Sequence, residues 1–154
     1  MESRVSRLIK LDYDWKHILS KDMEKFKKLF VNLRAYKGIE IKKIDVKESR
    51  KGLHITLKLN KEITQMESLF YATLLGSDSV RECFNYCRLL SGKRRTFNFF
   101  SRKKSIYDLK TGKRKYRSIE KDNTKRVRKL KRKLLKIIFR INKGLYQSRN
   151  AKYF

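Results

Sequence analysis

From Ser20 to about Tyr36 the apolar positions Met23, Phe26, Leu29, Phe30 and Leu33 recur at i, i+3, i+4 and i+7. That spacing predicts a helix with one face on a core. Asp12, Asp14 and Ser20 supply start chemistry ahead of it, and Gly38 stands where a C-terminal cap belongs. Before this helix, Val5 to Leu11 alternates weakly, as an edge strand or an ordered arm does. After it come two runs with strand periodicity, Ile39 to Lys47 and Leu53 to Leu59, joined by Glu48-Ser49-Arg50-Lys51-Gly52, which has hairpin-loop composition. In the second run Leu53, Ile55, Leu57 and Leu59 point one way, and His54, Thr56 and Lys58 the other. The first run breaks phase between Ile41 and Ile44, which predicts a bulge or a bend.

Thr64-Gln65-Met66-Glu67 matches a capping box, and the helix it opens carries Met66, Leu69, Phe70 and Leu74 on one face before Gly76. Ser79-Val80-Arg81-Glu82 is a second such box. Its helix places Val80, Cys83, Phe84, Cys87 and Leu90 on one side and closes at Ser91-Gly92. Thr96 to Phe100 reads as a further strand. From Ser101 to Lys125 the pattern weakens into a basic linker. From Thr124 to Lys143 it is helical again, with Val127, Leu130, Leu134, Ile137, Ile138 and Ile141 on one stripe and Lys and Arg dense on the other. The expected fold is therefore α+β: a small antiparallel sheet covered by helices in residues 1–104, then a basic linker and amphipathic helix in residues 105–154.

Charge sharpens this picture. The chain's formal net charge is +28, and the 72 residues after Glu82 hold 25 Lys and Arg against Asp108, Glu120 and Asp122, about +22 of that total. Such asymmetry predicts a polyanionic partner, bound with a steep dependence on salt. The 40% hydrophobic content excludes global disorder despite 38% charged residues. No apolar run approaches the roughly 20 residues that span a bilayer, and Met1 to Arg7 lacks a signal peptide's apolar stretch. The expectation is a cytoplasmic protein, neither secreted nor bound to a membrane. Cys83 and Cys87 lie four apart, a spacing that suits a disulfide poorly and predicts reduced core thiols.

Candidate chemistry centres on His54, on the outward face of a strand, and on Asp78 with Glu82, four apart at the start of a helix. Two carboxylates so placed can hold Mg²⁺ or Mn²⁺ through hard oxygen ligands, and Arg81 can clamp a phosphate. A simpler account needs no metal: Glu82 completes a capping box and Asp78 offsets the helix dipole. The chain has no phosphate-cradling Gly-rich loop and no Gly-x-Ser-x-Gly elbow, which disfavours nucleotide hydrolysis and acyl transfer.

Three segments, Lys51-Gly52-Leu53-His54-Ile55, Leu74 to Glu82, and Phe97 to Lys103, resemble a group of small α+β proteins of archaeal viruses that includes a DNA nuclease of filamentous viruses. The resemblance covers roughly residues 40 to 104. It implies nuclease activity with Glu82, Asp78, Arg81 and His54 as site residues, and it implies that some members bind DNA without cutting it. In the family pattern the glycine precedes two acids. Here Ser77 takes the first of those positions, leaving one carboxylate fewer.

The function expected from the sequence is DNA binding, with metal-dependent phosphodiester hydrolysis as an enzymatic extension and a non-catalytic packaging, regulatory or RNA-associated role as the alternative. Arg94, Arg95, Arg102, Lys103, Lys104, Arg114, Lys115, Arg126 and the polar face of the last helix are the expected contacts, all from the basic second half. Tyr107 and Tyr116 stand among them, able to stack on bases or to hydrogen-bond phosphate.

Overall fold

The structure, a computed structural model, describes residues 5–14, 20–49, 52–92, 103–118, 121 and 124–146. In chain order the elements are β1 (Val5–Tyr13), α1 (Ser20–Lys37), β2 (Ile41–Glu48), β3 (Leu53–Thr64), α2 (Gln65–Leu74), α3 (Ser79–Leu90), β4 (Lys103–Tyr107), β5 (Arg114–Ser118) and α4 (Lys125–Asn142). This is an α+β fold. The antiparallel sheet runs β1-β3-β2, so β3 is central and β1 lies at an edge. The expected strand at 96–100 lies outside the described residues, as do Arg94, Arg95 and Arg102.

Register assigns the two faces of the sheet. Ile9 and Ile44 both pair with Leu57, and Leu11 and Val46 with Ile55. All six are buried, and they form one core with Met23, Phe26, Leu29, Phe30 and Leu33 of α1. The opposite face carries Lys10, Thr56 and Asp45 in one row, and Asp12, His54 and Lys47 in the next. Pairing slips between Ile41 and Lys43, which is the bulge that the broken phase predicted.

Val127, Leu134, Ile137, Ile138 and Ile141 of α4 belong to the same core, with Leu130 packed against it. The last helix therefore walls the core that the first 104 residues begin.

Three expectations are corrected. Residues 103–118, expected as linker, form a β4–β5 hairpin in which Lys104 pairs with Arg117 and Tyr107 with Arg114. Its turn is closed by the Asp108 Oδ1 accepting from Lys110 N–H at 2.9 Å and the Asp108 carbonyl accepting from Gly112 N–H at 2.8 Å. Gly112 supplies the positive φ, 65°, that this turn needs. Second, α2 buries Gln65, Ser68, Leu69, Tyr71 and Ala72, while Met66, Phe70 and Leu74 face water. The chain passes from β3 into α2 with no loop, and Ser68 Oγ donates to Leu8 O at 2.8 Å, so the strand sets the rotation of the helix. Third, Cys83 and Cys87 are exposed, because α3 turns Glu82 and Asn85 inward instead.

Candidate functional site: the Asp12 cluster and the basic surface

The polar residues singled out in the sequence meet around Asp12, which was expected to supply helix-start chemistry and instead lies buried in β1, eight residues before α1 begins. Gly76-Ser77-Asp78 runs along the outer edge of β1: Asp78 N–H donates to Asp12 O at 2.6 Å, and Asp12 N–H donates to Ser77 Oγ at 2.9 Å. Tyr13 Oη, donating to Leu75 O at 2.7 Å, fixes the same junction. α3 thus begins beside Asp12, and Arg81, on the first turn after the cap, closes an ion pair on the Asp12 carboxylate. From the other side His54, opposite Asp12 in the sheet register, brings Nε2 to 3.6 Å from Oδ1.

Asp12 is 3% exposed. Burial raises its pKa, and Arg81 and then His54 pull against that rise, while Asp14 and Asp78 add to it. Its Oδ2 accepts no well-directed hydrogen bond among the described residues. Arg81 therefore offsets the charge without saturating the oxygen.

Glu82 belongs to an adjoining network. It is 2% exposed; Oε1 accepts from Ser77 Oγ at 2.9 Å, and Oε2 lies 3.4 Å from Asn85 Nδ2. The cap of α3 is Asp78, whose Oδ1 accepts from Val80 N–H at 3.1 Å, not Ser79. That one-residue offset moves Glu82 off the capping-box position and into the interior.

These arrangements do not fit the Mg²⁺ or Mn²⁺ site expected at Asp78 and Glu82. Mg²⁺ keeps several of its waters and needs carboxylate oxygens open to them, whereas Glu82 is enclosed by protein donors and Asp78 is committed to a helix N-terminus. Among the described residues, no three His, Cys, Asp or Glu side chains converge as a metal set. Ser77 accounts for its own presence. Its hydroxyl serves both the Asp12 amide and the Glu82 carboxylate, and an acid there would face Glu82 with like charge.

The second candidate surface is basic. α4 holds nine Lys and Arg and no acid over 18 residues. All nine are exposed, and among the described residues only Arg126 has an ion pair, with Glu48 at 3.5 Å. The core stripe holds the helix rigidly from behind. Lys129, Arg132 and Lys136 lie on the side away from that stripe, where helical spacing of 3.6 residues per turn puts them.

The β4–β5 hairpin adds seven Lys and Arg against Asp108 over residues 103–118. Lys103, Lys104, Arg114 and Lys115 all fall on its two strands, and Arg114 and Tyr107 are exposed. The hairpin's exit is tied to the main sheet. Lys121 exchanges backbone hydrogen bonds with Glu48 at 2.7 and 2.8 Å, and the Glu48 carboxylate accepts from Thr124 Oγ1 at 2.8 Å at the start of α4. One acid at the end of β2 thereby sets where both basic elements leave the core. Sequence reasoning missed the hairpin and this anchor; the Asp-x-x-x-Gly turn between two basic alternating runs was the available signal.

No helix among the described residues is long and apolar enough to cross a membrane. No family model, curated protein or solved structure matches this chain.

Proposed function

We propose that this protein binds duplex DNA through the phosphate backbone, with α4 lying along the duplex and the β4–β5 hairpin making a second contact. The observation that carries this reading is the solvated row of cations on α4, held against the core from behind and lacking acids of its own. At 1.5 Å per residue its 18 residues run about 27 Å, most of the roughly 34 Å of one duplex turn. Phosphate contacts of this kind position a protein without reading sequence, so binding is sequence-tolerant and dominated by counterion release.

The test is affinity for labelled duplex DNA against salt concentration. Neutralising Lys129, Arg132 and Lys136 to Gln removes up to three phosphate contacts, which lowers the slope of log K against log salt by up to about 2.7 at roughly 0.9 per contact. Unchanged affinity and slope would remove α4 from the interface. Tighter binding to duplex RNA than to duplex DNA under the same conditions would replace DNA by RNA as the partner.

A second reading, cleavage of the bound DNA, is favoured by the buried Asp12 carboxylate beside His54 and the half-exposed Arg81. A carboxyl with a raised pKa next to an imidazole and a half-exposed guanidinium is suited to proton transfer at a phosphodiester. Incubating end-labelled linear duplex with the protein and with His54→Ala, in Mg²⁺ and in EDTA, decides it. Cutting that the variant loses supports this reading; intact DNA with undiminished binding leaves the binding role alone.

A further inference from the structure

α3 has its amphipathic faces reversed. Glu82 and Asn85 are buried, whereas Val80, Phe84 and Leu90 are 64%, 62% and 74% exposed and both cysteines are open. The neighbouring α2 leaves Met66 and Phe70 half exposed. At on the order of 100 Å² per side chain these residues leave several hundred Å² of apolar surface, the size at which a patch on a monomer marks an interaction site.

We propose that this face is a two-fold interface with a second copy of the chain, in which α3 packs antiparallel on α3 of the other copy. Charge selects the place and the occupant. Each copy carries +28, so two copies can meet only where that charge is missing. Residues 65–90 hold Arg81 and Arg88 against Glu67, Asp78 and Glu82, a net −1, which leaves +29 on the rest of the chain. The apolar face thus lies on the one helical pair that does not repel its own copy, while α4 and the β4–β5 hairpin remain free for a polyanion.

Spacing selects the geometry. Val80, Cys83, Cys87 and Leu90 are separated by three, four and three residues, the a and d positions of a heptad seam. The set is unchanged when read backwards about Asn85. In an antiparallel pair Val80 therefore meets Leu90 and Cys83 meets Cys87, each contact occurring twice, as an isologous interface requires. The exposed Met66 and Phe70 of α2, the helix that packs on α3, add apolar area toward the roughly 800 Å² per partner of a standard interface.

The inference does not rest on DNA binding, and its test needs no nucleic acid. Sedimentation equilibrium of the full chain, reduced and in enough salt to screen its charge, is expected to give a dimer of twice 18.7 kDa that Phe84→Glu converts to monomer with an unchanged far-ultraviolet spectrum. Leu90→Glu serves as the second variant should Phe84→Glu misfold. In parallel, diamide takes the two electrons and two protons released as one thiol from each copy joins in a disulfide. Peptide mapping is expected to find Cys83 linked to Cys87 of the other copy, and Cys83→Ser alone to abolish the link. A wild-type chain that stays monomeric at every concentration overturns the proposal, as does a dimer that survives both glutamates. A Cys83 to Cys83 link overturns the antiparallel register.

Discussion

Arg81, on the first turn of α3, holds its guanidinium against the carboxylate of Asp12, a buried residue 69 positions earlier on β1. The pair ties the helix to the edge of the sheet, and its buried half costs free energy because burial raises the Asp12 pKa above its ordinary 3.8. The folded chain therefore holds a proton on Asp12 at pH values where the unfolded chain has lost it. Stability from this group is present below the ordinary value and is lost as pH rises through the raised one. Asp12→Asn abolishes the titration. The difference in melting temperature, wild type minus variant, is expected to fall with rising pH across that window and to level off above it. Arg81→Gln, which removes the largest influence lowering the Asp12 pKa, is expected to widen the window. A difference that stays constant from acid to neutral pH would show that Asp12 titrates alike in both states.

Ser77 joins the two polar networks, accepting from the Asp12 amide and donating to Glu82. Ser77→Ala leaves a buried amide and a buried carboxylate oxygen each short of a partner, and an unsatisfied buried group costs about 1 to 3 kcal/mol. Chemical denaturation of the variant is expected to show a loss of that size with an unchanged denaturant slope. A loss within the scatter of surface substitutions, roughly 0.5 kcal/mol, would mean that the two groups find other donors.

Gly52 lies against the chain that leads out of β1. A Cβ built there would stand 1.8 Å from Tyr13 O and 3.2 Å from Asp14 Cα, both backbone atoms that no side-chain rotation can move aside. Gly52→Ala is expected to cost well over 1 kcal/mol, since β1 or the β2–β3 turn must shift. The displaced strand end carries Asp12, so the variant is also expected to lose the pH-dependent component of stability described above. Wild-type stability in Gly52→Ala would show that the two segments do not press on one another.

The sequence was most legible where a whole stripe had one fate. Met23, Phe26, Leu29, Phe30 and Leu33 of α1 are all buried, and so are five of the six stripe residues of α4. The bulge in β2 was visible as a phase change. α2 and α3 were read a face wrong because periodicity says that a helix has two unlike sides, not which side meets the sheet. For α2 the loop-free junction after Thr64 decided it, and for α3 the decision fell to Ser77, Glu82 and Asn85, polar groups that satisfy one another inside. His54, Arg81, Asp78 and Glu82 stood out as polar residues near turns or on an outward strand face. Asp12 stood out only as helix-start chemistry and not as a site residue, because its pairing with His54 depends on the β1–β3 register, which no local spacing encodes. Its place at the polar phase of an otherwise apolar strand end, between Leu11 and Tyr13, was the trace it left.

The C-terminal segment does one more thing for this fold. β2 is an outer strand, and an open row of backbone donors and acceptors invites another chain to add on. That row is stoppered at both ends by later residues: Asn142 Nδ2 donates to Ile41 O at 3.1 Å, and Lys121 bridges Glu48. Between the stoppers Lys42 and Lys43 are exposed, and lysines on an edge strand discourage such addition. The C-terminal segment thus guards this edge against templated growth, and a chain deprived of it leaves both ends of β2 open to a neighbour's strand.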